Sequence, residues 1–340
     1  MKYSFGGTAI QGLSITTRLH TSWLRAWLIF LPLSLSLGWV NYTSHVQAQE
    51  QPKATATGLG KEFASETAKV NGITLHYVRG GKGHAVILIH GFPQDWFEYH
   101  AIMPRLAKQF TVIAVDLRGV GGSTAAESGY DAANMAKDIR ELAETLKLEH
   151  VYIVGHDIGG HVAYAFVRRY PDAIRGAMIL DTPVPGVEGW NEIQGDPNMW
   201  HVRFMQVPGL AEKLVIGRQA DYFGYFFQFG KFTPGDVEHF VNAYRTEAQL
   251  HAVFEMYRAF PANAQFNAAQ RGQNDVPLYL AAGDGSPFAK LIPKIGEGLH
   301  ASGCTHVETA LIQNAVHYVV EDQPDEVADL IERYASSHSK

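Results

Sequence analysis

Short apolar runs, each followed by a glycine or a polar residue, recur along the chain and constrain its fold more than any other feature. Most of these runs lack apolar–polar alternation, which predicts strands buried on both faces. Seven strands are predicted, over 73–78, 85–89, 111–115, 151–154, 177–180, 278–281 and 309–312. Helical stretches lie between them, at about 94–107, 131–147, 159–170 and 324–335. This order predicts an α/β fold with a doubly wound, mostly parallel sheet.

One long segment, 186–275, interrupts this order because it contains helical stretches but no buried-strand run. Residues 186–260 include 15 Phe, Tyr and Trp among 75 residues, against 11% for the whole chain. Between two sheet strands, such a segment predicts a helical cap over a pocket at the carboxyl edge of the sheet. A helical subdomain with its own core is the alternative, and the two are compatible. We therefore predict an α/β core at 66–185 and 276–340 and a cap at 186–275.

The first 48 residues have the composition of a secretory signal peptide. They contain three basic residues and no acidic residue, and an apolar stretch of fifteen residues runs from Ala26 to Val40. A helix of that length spans about 22 Å, which is short of the ~30 Å hydrocarbon core, and Val46–Ala48 resembles a small-x-small cleavage site. Residues 1–48 are predicted to be a signal peptide and 49–65 a polar linker, so the mature protein is expected to be secreted or periplasmic. A membrane anchor that is never cut is the alternative.

Charge and composition exclude several classes of function. The formal net charge is −6, and loss of the three positive charges of the leader would make it −9. Because no basic stripe is present, no nucleic-acid partner is expected. Cys304 is the one cysteine, and none of the 16 histidines forms an HExxH or His-x-His pattern, so neither a metal nor a cofactor is expected. The sequence leaves the oligomeric state open and is compatible with a homo-oligomer.

The sequence VGHDIGG at 154–160 places Asp157 between glycines, directly after a predicted strand and before a predicted helix. This is the context of the Gly-x-nucleophile-x-Gly elbow, a strained turn that needs small residues on both sides. Asp157 stands where most enzymes with this elbow carry serine. The alternative is that Asp157 caps the following helix, which a carboxylate does well.

Three further motifs accompany the elbow: HGFP at 90–93, DLRGVGGS at 116–123 and HYVVEDQP at 317–324. Together they resemble the α/β-hydrolase fold family, and within it the branch with an aspartate nucleophile, which contains epoxide hydrolases and dehalogenases. The resemblance extends over about 65–335. It implies Asp157 as nucleophile, His317 as the base that activates water, and the backbone N–H groups of Phe92 and Ile158 as an oxyanion hole. A surface histidine at a strand end is the alternative for His317.

The acid that would orient His317 is left between two residues. Asp181 ends the strand after the nucleophile helix, and Asp284 ends the next sheet strand. The family uses either location. Asp284 arrives about two residues earlier than the family's acid usually does, whereas Asp181 fits its location without a gap. Asp181 is therefore favoured, and Asp284 is otherwise a turn residue ahead of Gly285.

An aspartate nucleophile indicates a particular chemistry. A serine that attacked an sp³ carbon would form an ether, which water does not readily cleave, whereas an aspartate forms an ester that can be hydrolysed. The aspartate is ionised at neutral pH and needs no base for the first step. Asp157 therefore favours alkyl transfer from an epoxide or a halide over esterase or peptidase activity, and no GxSxG motif occurs elsewhere.

The leaving group is inferred from residues beside the elbow. Haloalkane dehalogenases that resemble this chain carry Trp directly after the nucleophile, and fluoroacetate dehalogenases carry Arg there and again three residues later. Here those positions are Ile158 and His161. Neither the halide-binding nor the carboxylate-binding residues of those enzymes are present, which favours an epoxide.

Ring opening needs a hydrogen-bond donor for the epoxide oxygen. The segments around Trp200–His201 and Met256–Arg258, together with the leader, are similar to those of secreted Cif-type epoxide hydrolases, which use a His and a Tyr. The resemblance implies His201 and Tyr257 as the pair, although Tyr257 could also be one more core aromatic. The expected function is that of an exported epoxide hydrolase acting on a small apolar epoxide and water. The alternatives are a haloalkane or haloacetate dehalogenase, and a non-catalytic binding protein on a hydrolase scaffold.

Overall fold

The computed structural model describes residues 59–337, so the predicted signal peptide and the linker up to residue 58 lie outside the described residues. This part of the chain has eight strands: β1 (Ala64–Val70), β2 (Ile73–Gly81), β3 (Ala85–Ile89), β4 (Thr111–Val115), β5 (Val151–His156), β6 (Ile174–Leu180), β7 (Leu278–Gly283) and β8 (Val307–Ile312). They form one sheet in the order β1-β2-β4-β3-β5-β6-β7-β8. The β1–β2 and β2–β4 pairs are antiparallel and all other pairs are parallel. The predicted fold class is confirmed.

The strand β1 was not predicted. It begins at Ala64, so residues 64 and 65 of the predicted linker belong to a strand. Only Ala68 and Val70 of β1 are buried, because β1 is an edge strand that pairs with β2 alone. A strand with so few buried residues lacks the continuous apolar run by which the other strands are recognised.

The helices of the same region are α1 (Met103–Leu106), α2 (Ala132–Thr145), α3 (Ile158–Arg169), α4 (Trp190–Gly195), α5 (Trp200–Met205), α6 (Leu210–Val215), α7 (Gln219–Phe227), α8 (Pro234–Asn242), α9 (Glu247–Arg258), α10 (Phe260–Ala269), α11 (Ile292–Ala301), α12 (Val319–Asp322) and α13 (Pro324–Ser337). The helix predicted over 94–107 is instead a 3₁₀ turn, Trp96–Tyr99, followed by the short α1. Pro104 lies in the first turn of α1, a position that starts a helix and ends the preceding one.

Both faces of the central strands are buried, whereas the edge strands β1 and β8 are largely exposed. Along β3, Ile87 and Ile89 belong to a core on the α2 and α3 side, whereas Val86 and Leu88 belong to a second core with α1 and α13. Two buried faces explain why these strands have no polar alternation. The carboxyl ends of the parallel strands meet at one edge, where side chains from separate strands can be brought together.

The segment between β6 and β7 contains seven helices, α4 to α10, which start at Trp190 and end at Ala269. Phe223, Phe240 and Phe254 are fully buried there, so these helices have an aromatic core. The rings of Phe223 and Phe226 also pack edge-on against Phe92 at the carboxyl edge of the sheet, 5.7 and 5.3 Å between centroids. The segment therefore has its own core and also covers the edge. No helix within residues 59–337 is long and apolar enough to cross a membrane.

Candidate active site

The candidate residues of the sheet follow the carboxyl ends of five strands. Phe92 follows β3, Asp157 follows β5, Asp181 follows β6, Asp284 follows β7 and His317 follows β8. Parallel strands carry their carboxyl ends to the same edge, which explains how residues 225 positions apart in the chain, from Phe92 to His317, reach one place.

Asp157 lies in a strained turn between β5 and α3. Its φ is 45° and its ψ is −117°, which is an unfavourable conformation for a residue with a side chain. The glycines on either side allow the turn, because a Cβ on Gly155 would lie 2.1 Å from the Gly159 oxygen and a Cβ on Gly159 would lie 2.2 Å from the Ile89 oxygen. The side chain of Asp157 does not cap α3. The capping alternative is therefore wrong.

One of the two predicted oxyanion donors contacts the carboxylate. The N–H of Phe92, in the loop that carries HGFP (residues 90–93, hereafter the HGFP loop), donates to Asp157 Oδ2 at 3.0 Å. The N–H of Ile158 makes no hydrogen bond among the described residues, as expected for a group in the first turn of a helix. A backbone N–H aimed at a carboxylate oxygen could also stabilise the oxyanion that forms when that carboxyl carbon is attacked.

His317 is paired with Asp181. Its Nδ1 lies 2.6 Å from Asp181 Oδ2, and Asp181 is fully buried. The two oxygens of Asp181 also accept hydrogen bonds from Gly283 N–H at 3.0 Å and from Ser286 Oγ at 2.8 Å. These bonds fix the carboxylate, and its position sets Nδ1 of His317 as the protonated nitrogen, so Nε2 is left free to accept a proton.

Asp284 lies apart from this arrangement. Its side chain is exposed, and Oδ1 accepts a hydrogen bond from the N–H of Ala315 at 3.3 Å. Asp284 makes no hydrogen bond to His317 in the described part of the chain. The geometry therefore brings Asp181, and not Asp284, to His317.

A cavity of about 410 Å³ lies between the sheet edge and the helical segment. Asp157, His317, His201 and Tyr257 all line it. Most of its other lining side chains are aromatic or aliphatic, among them Phe92, Trp190, Trp200, Tyr225, Phe226, Phe229, Phe260 and Phe288. Trp200 and Phe229 are 42% and 50% exposed, so apolar side chains of the lining also reach solvent. The size and lining suit a small apolar molecule.

His201 and Tyr257 come from α5 and α9 and meet at the cavity wall, with ring centroids 6.3 Å apart. Neither side chain makes a hydrogen bond within residues 59–337. Burial lowers the pKa of His201 to about 4, although the charge of Asp157 opposes the shift. Burial and the charge of Asp157 raise the pKa of the Tyr257 hydroxyl well above its ordinary value. Both groups are therefore neutral near pH 7 and each can donate a hydrogen bond into the cavity.

His161 also lines the cavity but is held by the protein. Its Nε2 lies 3.0 Å from the carbonyl oxygen of Pro183 and 3.1 Å from Thr182 Oγ1. Burial lowers the pKa of His161 to about 4, so the side chain is neutral. It therefore offers no positive charge at the position where fluoroacetate dehalogenases carry an arginine.

A strained carboxylate elbow with a backbone donor, opposite a His–Asp pair, is the arrangement of one fold family, and comparison with known sequences agrees. The sequence model for the alpha/beta hydrolase fold matches residues 84–324. The chain belongs to the alpha/beta hydrolase fold family.

Three known proteins illustrate the similarity. The soluble epoxide hydrolase of Corynebacterium sp. (strain C12) is 29% identical over 285 residues, which cover 80% of this chain and 96% of that protein. The fluoroacetate dehalogenase of Burkholderia sp is 34% identical over 211 residues, which cover 58% of this chain and 69% of that protein. The crystal structure of an aCif variant has a TM-score of 0.72 at 24% identity, over 81% of this hydrolase and 90% of that chain, a likeness of fold alone.

Two buried charged residues of this hydrolase site were not predicted. His156 precedes Asp157 at the end of β5, and Glu98 lies in the 3₁₀ turn after the HGFP loop; both are fully buried. A charged residue without exposure needs a partner, and here the Nδ1 of His156 lies 3.2 Å from Glu98 Oε1. The sequence signal was a histidine at the end of an apolar strand, although nothing in the sequence pointed to its partner.

Proposed function

We propose that this hydrolase opens epoxides to vicinal diols through an ester on Asp157. The observation that carries the proposal is a carboxylate at the strained elbow, with a backbone N–H 3.0 Å from one oxygen and a His–Asp pair beside the same apolar cavity. A carboxylate can attack an sp³ carbon and later be released, because the ester that forms has a carbonyl carbon that water can attack.

The first step is ring opening. An oxygen of Asp157 attacks an epoxide carbon, the bond from that carbon to the epoxide oxygen breaks, and the electron pair stays on that oxygen. Tyr257 gives its hydroxyl proton to this oxygen and is reprotonated from water, while the ring N–H of neutral His201 donates a hydrogen bond to it. Donors that are neutral at pH 7 suit this task, because each keeps its proton until the oxygen becomes basic.

The second step is hydrolysis of the ester. Nε2 of His317 takes a proton from water, and the resulting hydroxide attacks the carboxyl carbon of Asp157. The tetrahedral oxyanion is stabilised by the N–H of Phe92, which is worth about 3–4 kcal/mol for such a donor. Asp181 stabilises the imidazolium of His317. The imidazolium then protonates the leaving oxygen and the diol departs. The Asp157 carboxyl group loses its proton to water, which balances the proton that Tyr257 took from water after ring opening.

Two further observations support an epoxide over a halide. The similar soluble epoxide hydrolase covers most of the length of both chains, whereas the similar fluoroacetate dehalogenase covers 58% of this chain. The side chains of Ile158 and neutral His161 also provide no group that would hold a halide or a carboxylate. The apolar cavity favours bulky apolar epoxides, such as aryl or fatty epoxides, as substrates.

The experiment that tests the reaction is a single turnover in heavy-oxygen water with an aryl epoxide that the enzyme converts. We expect diol formation, with the label on Asp157 and not in the diol, because the diol takes its oxygen from the carboxylate. Label directly in the diol would contradict a covalent ester. Halide release from haloalkanes or haloacetate, with no diol from any epoxide, would assign the dehalogenase reaction instead, and binding without turnover of either class would favour a non-catalytic binding protein.

We also propose that residues 1–48 direct export, so that the mature enzyme is secreted or periplasmic. The support is the acid-free, apolar composition of that segment. Amino-terminal sequencing of protein from the cell exterior or periplasm should begin near Gln49. An intact leader in the membrane fraction would contradict cleavage and favour an anchor.

A further inference from the structure

The reaction proposed above uses neither Glu98 nor His156. His156 directly precedes Asp157 in the chain, and Glu98 contacts His156. Their side chains are 0% exposed, and Nδ1 of His156 lies 3.2 Å from Glu98 Oε1. A buried pair of titratable groups carries a large desolvation cost unless its members stabilise each other. Their location beside the elbow raises the question of what this pair holds in place.

Each member of the pair contacts a different loop of the active site. Glu98 Oε2 accepts a hydrogen bond at 2.8 Å from the N–H of Gly91, the residue before the oxyanion donor Phe92. His156 Nε2 donates to the carbonyl oxygen of His317 at 2.9 Å. The pair therefore joins the HGFP loop to the loop of residues 313–318 that carries His317, hereafter the His317 loop.

The HGFP loop also packs directly on the same ring. A Cβ on Gly91 would lie 2.8 Å from His156 Nδ1 and 2.7 Å from the Cβ of Asp157. No side chain fits between the loop and the elbow, so a movement of the His156 ring must move Gly91 as well. Glycine at 91 is required here by this close approach, since its backbone is not in the left-handed region.

Hydrogen-bond accounting assigns the protons of His156. Nε2 must carry a proton, because its partner is a carbonyl oxygen, and Nδ1 faces a carboxylate, which favours a proton there too. Burial lowers the pKa of His156, but the negative charge of Glu98, 3.2 Å away, with the charges of Asp157 and Asp181, raises it to about 10. The side chain is therefore an imidazolium.

Glu321 is the remaining acidic group near the pair. It lies in α12, after the His317 loop, and accepts a hydrogen bond from the Gln94 side chain. Burial and the negative charge of Glu98 raise the pKa of Glu321 well above its ordinary value, which favours its neutral form. Glu321 therefore adds little negative charge beside the pair.

We propose that Glu98 and His156 form a positioning ion pair, which holds the HGFP loop and the His317 loop at the right separation for ester hydrolysis. The inference rests on the proposed function. Hydrolysis is the step that needs both loops at once, because the oxyanion must meet Phe92 N–H while His317 activates water. Ring opening depends on Asp157, His201 and Tyr257. His317 takes no part in that step, so the position of the His317 loop affects it less.

The test is Glu98→Gln in the full-length mature enzyme. Gln keeps the volume and an oxygen for Gly91 N–H but removes the charge that faces His156. Rapid quenching followed by mass spectrometry of the Asp157 ester separates the two rate constants. We expect hydrolysis to slow by about 10²-fold, as for an ångström-scale misplacement, and ring opening to stay within about threefold, so ester accumulates during turnover. Equal slowing of both steps, or no slowing, would overturn the proposal.

The matched control is Tyr152→Phe. Tyr152 lies in β5, the strand that ends at His156, and is buried, and its ring packs against Tyr334 with 5.8 Å between centroids. Tyr152→Phe should leave the ratio of the two rate constants unchanged. The double variant Glu98→Gln/His156→Gln should be no slower in hydrolysis than Glu98→Gln alone, because it leaves no unpaired buried charge. Additive losses would contradict an ion pair.

A measurement on the unmodified enzyme covers the case in which Glu98→Gln does not fold. In ¹⁵N-histidine NMR spectra, His156 should give the signals of an imidazolium at pH 8, and a neutral ring there would overturn the inference. The proposed function is judged separately, by diol formation in the wild type and by ester on Asp157 in His317→Gln. Failure of those two results would reject the ester mechanism, whereas their success with an unchanged rate ratio in Glu98→Gln would reject only the positioning role.

Discussion

Two His–Asp pairs in this molecule have almost the same geometry and lie in different surroundings. His317 Nδ1 is 2.6 Å from Asp181 Oδ2, and His76 Nδ1 is 2.7 Å from Asp116 Oδ2. Both aspartates are buried, and the histidine side chains are 23% and 14% exposed. The second pair even has Ser65 Oγ 2.8 Å from His76 Nε2, which completes a Ser–His–Asp chain of hydrogen bonds.

The difference lies in what surrounds each pair. His317 lines the cavity with Asp157, whose backbone is strained, whereas Ser65 lies in the regular edge strand β1 and outside the lining of that cavity. Asp116 also accepts hydrogen bonds from Trp96 N–H at 2.9 Å and Gly122 N–H at 2.8 Å. A hydrogen-bonded His–Asp pair therefore holds loops together in one place and, in the proposed mechanism, acts beside a strained nucleophile in the other.

Identical substitutions of the two histidines should show the difference between the two pairs most clearly. His317→Gln should lower turnover by about 10⁵–10⁶-fold, as loss of a triad histidine does, and should leave the ester on Asp157 because the first step needs no base. His76→Gln should keep turnover within a few-fold once folded. Steady-state kinetics and intact-protein mass spectrometry measure both. Loss of activity in His76→Gln of comparable size would assign a catalytic role to the second pair.

The next prediction compares the aspartates. Asp181→Asn should lower turnover by about 10⁴-fold, because an amide cannot stabilise the imidazolium and can favour the wrong tautomer of His317. Asp284→Asn should have a small effect, since Asp284 is exposed and bonds the N–H of Ala315. Asp116→Asn should instead cost about 3–5 kcal/mol in the free energy of unfolding. Chemical denaturation and kinetics on the three variants test this, and a larger kinetic loss in Asp284→Asn would move the acid to that position.

Replacement of Tyr257 should affect ring opening and leave the step that uses His317 and Asp181 unaffected. Tyr257→Phe should slow formation of the Asp157 ester by about 10²–10⁴-fold and leave ester hydrolysis nearly unchanged. Because the pKa of His201 is lowered to about 4, the ring-opening rate should show no change attributable to His201 between pH 5 and 8. Rapid-quench measurement of ester formation tests both statements. A wild-type rate in Tyr257→Phe would remove it from the reaction.

The features that could be predicted from the sequence are those with a local pattern. The strands β3 and β4 were predicted with their observed bounds because burial on both faces leaves an uninterrupted apolar run. Asp157 stood out because its motif is local. Strand β1 was missed because only two of its residues are buried, so its sequence lacks a continuous apolar run.

Pairings between distant residues were the part that sequence reasoning could not supply. Asp181 and Asp284 both end strands; the sequence favoured Asp181 only through its spacing in the resemblance, and the hydrogen bond to His317 distinguishes the two. The contact of His156 with Glu98 joins residues 58 positions apart, and the Ser65–His76–Asp116 chain joins three strands or strand ends. Nothing in local periodicity encodes such contacts, because they depend on how the sheet is ordered.

The smallest expected effect concerns the pH dependence of stability at the second pair. Burial lowers the pKa of His76, but the hydrogen bond and charge of Asp116 more than offset this and raise it above 6.5. Burial raises the pKa of Asp116, but the hydrogen bond and charges of His76 and His90 lower it below 3.8. The contribution of His76 is therefore complete below pH 6.5 and is lost as the pH rises through its raised value. That of Asp116 is complete above pH 3.8 and is lost as the pH falls through its lowered value.

His76→Gln should accordingly cost about 1.5–3 kcal/mol in the free energy of unfolding at pH 6, as for a hydrogen bond to a charged group, and the cost should fall as the pH rises through the raised pKa of His76. Urea denaturation of the wild type and the variant at several pH values from 6 upward measures this fall. In an Asp116→Asn background the pH dependence of the His76→Gln effect should vanish, because the charge that raises the pKa of His76 is gone. A cost that already falls below pH 6.5 would mean that the pKa of His76 is not raised. The second pair would then be a neutral hydrogen bond, unlike the ion pair that the proposed reaction requires transiently at His317 and Asp181.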